Sequence, residues 1–333
     1  MRLVIAAVSV FVMGSVAAVA GFRSLPFGHA LGAISAAQPL WLWAAGTSFA
    51  FAIACSASAW RSAFCLCGDR IGRVEAGARY GVGSLVNSLL PGNLGGAFRV
   101  VLFSRALSGD ERLWVASGIP AAVGAARALL LAVLVIAAAG SGALPAWTAL
   151  VLAGVGCAAA AACILGRHRA AGSGRLSHLL EVFRALGRSP GGAVRIFGWL
   201  AGSITARVLG VAAVSVALGV SAPFSVALVI VPALAVTALV SLSPAGLGVT
   251  SGAVALVLHA RGVDMTTAVA AGIGVNAVET AAGLAVGVAS ALVLGFPTPS
   301  ARRWTLVSVG ACACLAAALV GAGGLGLGFG DIA

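Results

Sequence analysis

Apolar runs of about 20 residues, the length an α-helix needs to cross the hydrocarbon of a bilayer, recur along this chain and leave it few alternatives to a membrane fold. They fall near residues 3–20, 40–60, 115–140, 146–165, 196–219, 268–294 and 304–322. Only 8% of the 333 residues are charged and 61% are hydrophobic, too little charge to cover a water-facing surface of this size. The expectation is an all-α polytopic membrane protein, a single transmembrane domain over 1–333 with about seven crossings. Residues 1–20 read as an extra N-terminal helix, retained in preference to cleavage, although Ala18-Val19-Ala20 resembles a signal-peptidase site.

The basic residues set the orientation. All 20 are arginine, and the net charge is +12. Most sit between apolar runs: Arg61, Arg70, Arg73 and Arg79 in a loop at 61–79, six more in the polar stretch 167–195, and the pair Arg302-Arg303. That distribution expresses the cytoplasmic bias of membrane loops, so no nucleic-acid partner is inferred. It implies an integral protein of a prokaryotic cytoplasmic (inner) membrane, with the N-terminus inside and the C-terminus outside. Only Arg23 and Arg261 then face outward. Residues 166–195 are expected to be a cytoplasmic connector.

Two stretches, 81–105 and 225–260, are apolar but broken. The first contains NSLLPGNLGGAFR, with Asn87, Pro91, Gly92, Asn93, Gly95 and Arg99; the second contains Pro244, Gly246 and Gly248. Both breaks fit P-x-x-L-G. Residues 81–105 are too short for two crossings, so each stretch is expected to be a re-entrant or broken helical hairpin. The order helix, hairpin, helix, helix then appears twice, in 40–165 and 196–322, as an inverted repeat whose interrupted segments meet near the midplane. The competing reading is that Pro and Gly merely loosen helix packing.

Three ionisable residues fall near the middles of apolar runs: Arg127, Arg207 and Glu279. Each such charge costs about 2.5–3.5 kcal/mol on the most lenient insertion scale, so all three need compensation. An Arg–Glu pair that locks two helices is the plain account, but one carboxylate neutralises one guanidinium. The surplus fits an anionic headgroup, because guanidinium grips phosphate through a planar fork and stays ionised. Asn87 and Asn93 are expected to hydrogen-bond that headgroup. Arg99 is either a further phosphate contact or an inner-face anchor.

Other chemistries find little support. The seven cysteines lie mostly in apolar runs as small hydrophobes. Cys65 and Cys67 lack a second pair or a nearby histidine to complete a metal set, so no metal or cofactor is expected. The four histidines read as interfacial, and Asp69, Glu75, Asp110 and Glu111 as local partners of the loop arginines. No nucleophile or paired-carboxylate arrangement emerges for catalysis.

VNSLLPGNLGGAFRVVLFSR (86–105) and LSPAGLGVTSGAVALVL (242–258) resemble the two hallmark segments of the lysylphosphatidylglycerol synthase transmembrane region, a family also described as flippase-like. The resemblance implies movement of a phospholipid or lipid-linked headgroup, such as a polyprenyl phosphate, between leaflets. It places Asn87, Pro91, Gly95 and Arg99 in the first segment, and Pro244, Gly246, Leu247 and Gly248 in the second. The aminoacyl-transfer domain fused to some members is not expected after residue 322. Gly96, Ser251 and Ala126 stand where the family commonly has acidic residues, which implies a different substrate or a degenerate site. The rival expectations are a scaffold for a partner envelope enzyme and an intramembrane transferase acting on a lipid carrier.

Overall fold

The computed structural model describes residues 37–66, 71–89, 94–106, 112–140, 188–240 and 249–295. Among these the chain is entirely helical. In order the helices are α1 (Pro39–Leu66), α2 (Arg73–Leu89), α3 (Leu94–Ser104), α4 (Arg112–Gly140), α5 (Pro190–Ala217), α6 (Pro223–Val240), α7 (Val249–His259) and α8 (Met265–Gly295). Four of them, α1, α4, α5 and α8, are long and apolar enough to cross a bilayer. They match four of the seven apolar runs. The other three, 3–20, 146–165 and 304–322, lie outside the described residues, as does most of the connector.

Hydropathy placed several helix ends too far inward, because a helix need not stop where the hydrocarbon does. The stretch 61–79 is largely helical: α1 carries Arg61 out to Leu66, and α2 already contains Arg73 and Arg79. These basic residues are tied down locally. Arg61 Nε donates to the Ile71 carbonyl at 2.9 Å, and Arg79 pairs with Glu75 one turn away at 2.6 Å. Likewise α5 begins at Pro190, inside the predicted connector. Ser189 caps it by accepting from the Gly192 amide, and proline fills the first helical position, where its missing N–H costs nothing.

Both broken stretches form a pair of unequal helices. In the first, α2 has 17 residues and α3 has 11; in the second, α6 has 18 and α7 has 11. At 1.5 Å per residue the shorter arms reach only about 16 Å, roughly half the hydrocarbon thickness. Pro91, Gly92 and Asn93, and Pro244, Gly246 and Gly248, fall between the arms and outside the described residues. Gly95 does not mark the break. It lies in the first turn of α3, where a Cβ would come within 2.1 Å of the Gly83 carbonyl oxygen on α2. Its role is close approach of the two arms.

The helices form two series of matching length, α1–α4 with 28, 17, 11 and 29 residues and α5–α8 with 28, 18, 11 and 31. Their packing matches as well. α1 and α5 pack on each other most extensively, and every other packed pair has its image when the series are exchanged: α2·α8 with α4·α6, α7·α8 with α3·α4, α1·α2 with α5·α6. Two cores form, one centred on the first series with Trp60, Phe64, Phe103 and Ile119, the other on the second with Val214, Ile230, Val254 and Leu258, and α1 and α5 contribute to both.

Termination of the second series follows from sequence. Gly219 and Gly262 take φ of +70° and +81°, and the following Val220 and Val263 amides reach back to the Ser215 and Leu258 carbonyls. These are glycine-closed helix ends, in which the left-handed residue carries no Cβ penalty. Asp264 then caps α8 by accepting from the Thr266 and Thr267 amides.

Candidate functional site

Long, almost wholly apolar helices carry the unpaired charge to one place. Glu279 and Arg127 lie within a residue of the midpoints of α8 and α4, and Arg207 lies about one turn past the midpoint of α5. α8 packs against α5, and an Arg207 Nη1 donates to Glu279 Oε1 in a charge-assisted pair. The two side chains keep 23% and 32% of their surface, so the pair is accessible although it sits mid-helix. Arg207 Nε is buried and has no acceptor among the described residues.

Arg127 approaches from α4. It lies within electrostatic reach of Arg207, Glu279, Tyr80 and Arg99, yet donates to no acceptor among the described residues. Arg207 and Glu279 thus meet directly, and Arg127 stands within electrostatic reach of both. The carboxylate's direct partner is Arg207, and Arg127 is left as the cation without one among the described side chains.

The first hairpin adds a third guanidinium. Arg99 folds back from α3 onto α2, its guanidinium carbon 4.0 Å from the centre of the Tyr80 ring. Its Nη2 donates to Ser84 Oγ at 2.8 Å and its Nε to the Tyr80 carbonyl at 3.3 Å. This fold-back requires Gly83, because a Cβ there would lie 2.2 Å from Arg99 Cγ. Arg99 is thus held against the hairpin by a cation–π contact and neutral acceptors, and no described carboxylate reaches it. Asn87 has a partner within the hairpin. Its Oδ1 accepts from the Gly95 amide at 2.9 Å, so half of its side-chain amide secures the start of α3.

Tyr80 links these parts, and sequence reasoning missed it. Its ring packs edge-on to Trp60 with centroids 5.8 Å apart. The phenol stands near Ser56 and within electrostatic reach of Arg99, Arg127 and Arg207. Ser56 and Ser203 hydroxyls lie 2.9 Å apart across α1 and α5, one turn from Arg207. Polar side chains are therefore spaced between the hairpin and the ion pair. The available signal was that Tyr80 is the single tyrosine in the chain.

A neutral network was missed too. Asn276, one turn before Glu279, donates to Thr250 Oγ1 at 2.8 Å and accepts from Thr280 Oγ1 at 3.2 Å. Its Nδ2 also lies 3.4 Å from Ser251 Oγ. An asparagine inside an apolar run was the sign, since a buried amide demands partners.

A helical membrane protein with an Arg-rich, partly accessible cluster at mid-helix is the class these observations define. The lysylphosphatidylglycerol synthase TM region profile matches residues 2–287, and the chain belongs to that family. It is accordingly an integral membrane protein of a family linked to membrane-lipid modification. No curated protein matches the chain.

Proposed function

We propose that the protein moves an anionic lipid or lipid-linked headgroup across the membrane, using Arg127, Arg207 and Glu279 as the headgroup site. The observation that carries this reading is Arg127, a partly exposed cation at the middle of α4 with no described hydrogen-bond acceptor, beside an arginine whose only described carboxylate is already shared. A cation in that position is costly unless an anion or water reaches it. A phosphate oxygen pair would accept from both guanidiniums, and Arg99 and Asn87 would support the approach from the hairpin. Asn93 and the glycines of the two breaks belong to the same proposal.

The matched helix series support an inverted repeat, with half-length arms α3 and α7 entering from opposite faces as in many transporters. The arginine distribution supports a prokaryotic cytoplasmic membrane with the N-terminus inside. A phospholipid or a polyprenyl phosphate fits the chemistry.

The Arg207–Glu279 pair also favours a second reading, a locked scaffold for an envelope enzyme. Leaflet transfer of a fluorescent anionic phospholipid in reconstituted vesicles separates the two. Translocation predicts at least about a tenfold slower rate in Arg127→Gln, corresponding to loss of about 1.4 kcal/mol of headgroup interaction. Wild-type rates in folded Arg127→Gln and Arg207→Gln proteins would establish the scaffold instead.

A further inference from the structure

The charge count at the cluster narrows the headgroup. Three guanidiniums, those of Arg99, Arg127 and Arg207, act on one another through Tyr80 and Arg127. One carboxylate, Glu279, answers them. The chain has eight acidic residues, so few others are available. Glu75 is committed to Arg79, and Asp264 to the N-terminus of α8. The remaining acids stand in polar stretches of the sequence, none within an apolar run. The other polar groups at the site, Ser56, Ser84 and the Asn276 network, are neutral. Two positive charges are therefore uncompensated among the described side chains.

We infer that the site takes a terminal phosphomonoester, a group with nearly two negative charges, in preference to a singly charged phosphodiester. The inference rests on the headgroup-binding reading above and concerns its substrate class. A monoester carries a charge of about −1.5 to −2 at neutral pH and three strong acceptor oxygens. A diester would leave one cation uncompensated in a low-dielectric surrounding, where such a charge is most costly. The donors also outnumber a diester's two free oxygens. Arg127 offers a guanidinium with no described acceptor, and the exposed part of the Arg207 side chain adds to it.

Two lipid classes carry such a group, phosphatidate and polyprenyl phosphates. The test is native mass spectrometry of the full chain in mild detergent, with equimolar phosphatidate, undecaprenyl phosphate and phosphatidylglycerol competing at pH 8. Retention of one or both monoesters at about tenfold or more over phosphatidylglycerol is expected, a discrimination of one charge contact. Which monoester dominates identifies the tail. Arg127→Gln should reduce the preference to near unity, and Arg127→Lys should retain most of it, which guards against a folding artefact. Equal retention of phosphatidylglycerol by the wild-type chain would overturn the doubly charged headgroup and leave translocation standing. Retention of all three lipids unchanged in Arg127→Gln and Arg207→Gln, or of none by the wild type, would overturn both.

Discussion

The two helical hairpins occupy matching places in the two series and carry opposite chemistry. In α2–α3 an arginine is bent back over a tyrosine ring and fixed by a serine. In the second, Thr250 and Ser251 of α7 meet Asn276 of α8, which Thr280 also contacts, and this network is uncharged. The scaffold is thus repeated while the electrostatics are not. A ligand would meet positive charge from the first hairpin and neutral donors and acceptors from the second. The seams differ as well. α2 lies close on α8 through Gly81, Gly283 and Gly287, whereas the image seam between α4 and α6 is much sparser.

The seam contrast gives the largest expected effect. Gly287→Ala places a Cβ 2.5 Å from Leu85 Cβ and 2.9 Å from its Cα, so helix must move against helix. A loss of about 1–3 kcal/mol is expected, read as a lower thermal midpoint in detergent. Gly124→Ala on α4 meets nothing within 4 Å and should leave stability equal or higher. Equal losses at both positions would break the contrast.

Next in size is Glu279→Gln, which leaves the Arg207 guanidinium without its carboxylate. A pair that keeps about a quarter to a third of its surface should lose about 2 kcal/mol, less than the roughly 3–5 typical of full burial. Combining it with Arg207→Gln should recover much of the loss in a double-mutant cycle. Arg127→Gln should behave oppositely, with stability unchanged or raised because no described partner is lost, while headgroup retention falls. Destabilisation comparable with Glu279→Gln would show that Arg127 is a structural cation.

The smallest effects separate the hairpins. Tyr80→Phe removes the hydroxyl near Ser56 but keeps the ring under Arg99, and a loss of at most about 1 kcal/mol is expected. Asn276→Ala and Asn87→Ala should each cost a similar amount, through α7·α8 and α2·α3 contacts respectively. Hydrogen exchange at α7 and α3 would assign each loss to its own hairpin.

Hydropathy and charge made the membrane class, the broken stretches and the three mid-helix charges legible, because those properties sum over sequence neighbours. Helix ends were less legible: α2 begins at Arg73 and α5 at Pro190, where the chain remains helical beyond its apolar part. Gly95 and Asn87 were read as elements of a break or a headgroup contact, and no local signal showed that they also make the close contact and the clasp of one hairpin.

From the order of its residues alone, this chain is committed to long helices in lipid, since backbone hydrogen bonds must be made internally wherever water is excluded. The presence of Arg127, Arg207 and Glu279 at mid-helix is likewise a property of sequence. Which arginine holds the carboxylate, and that Tyr80 and Ser56 join the cluster, depended on tertiary structure. Those contacts are set by the rotation and packing of helices whose residues lie 72 positions apart for Arg207 and Glu279, and no local pattern encodes such a meeting.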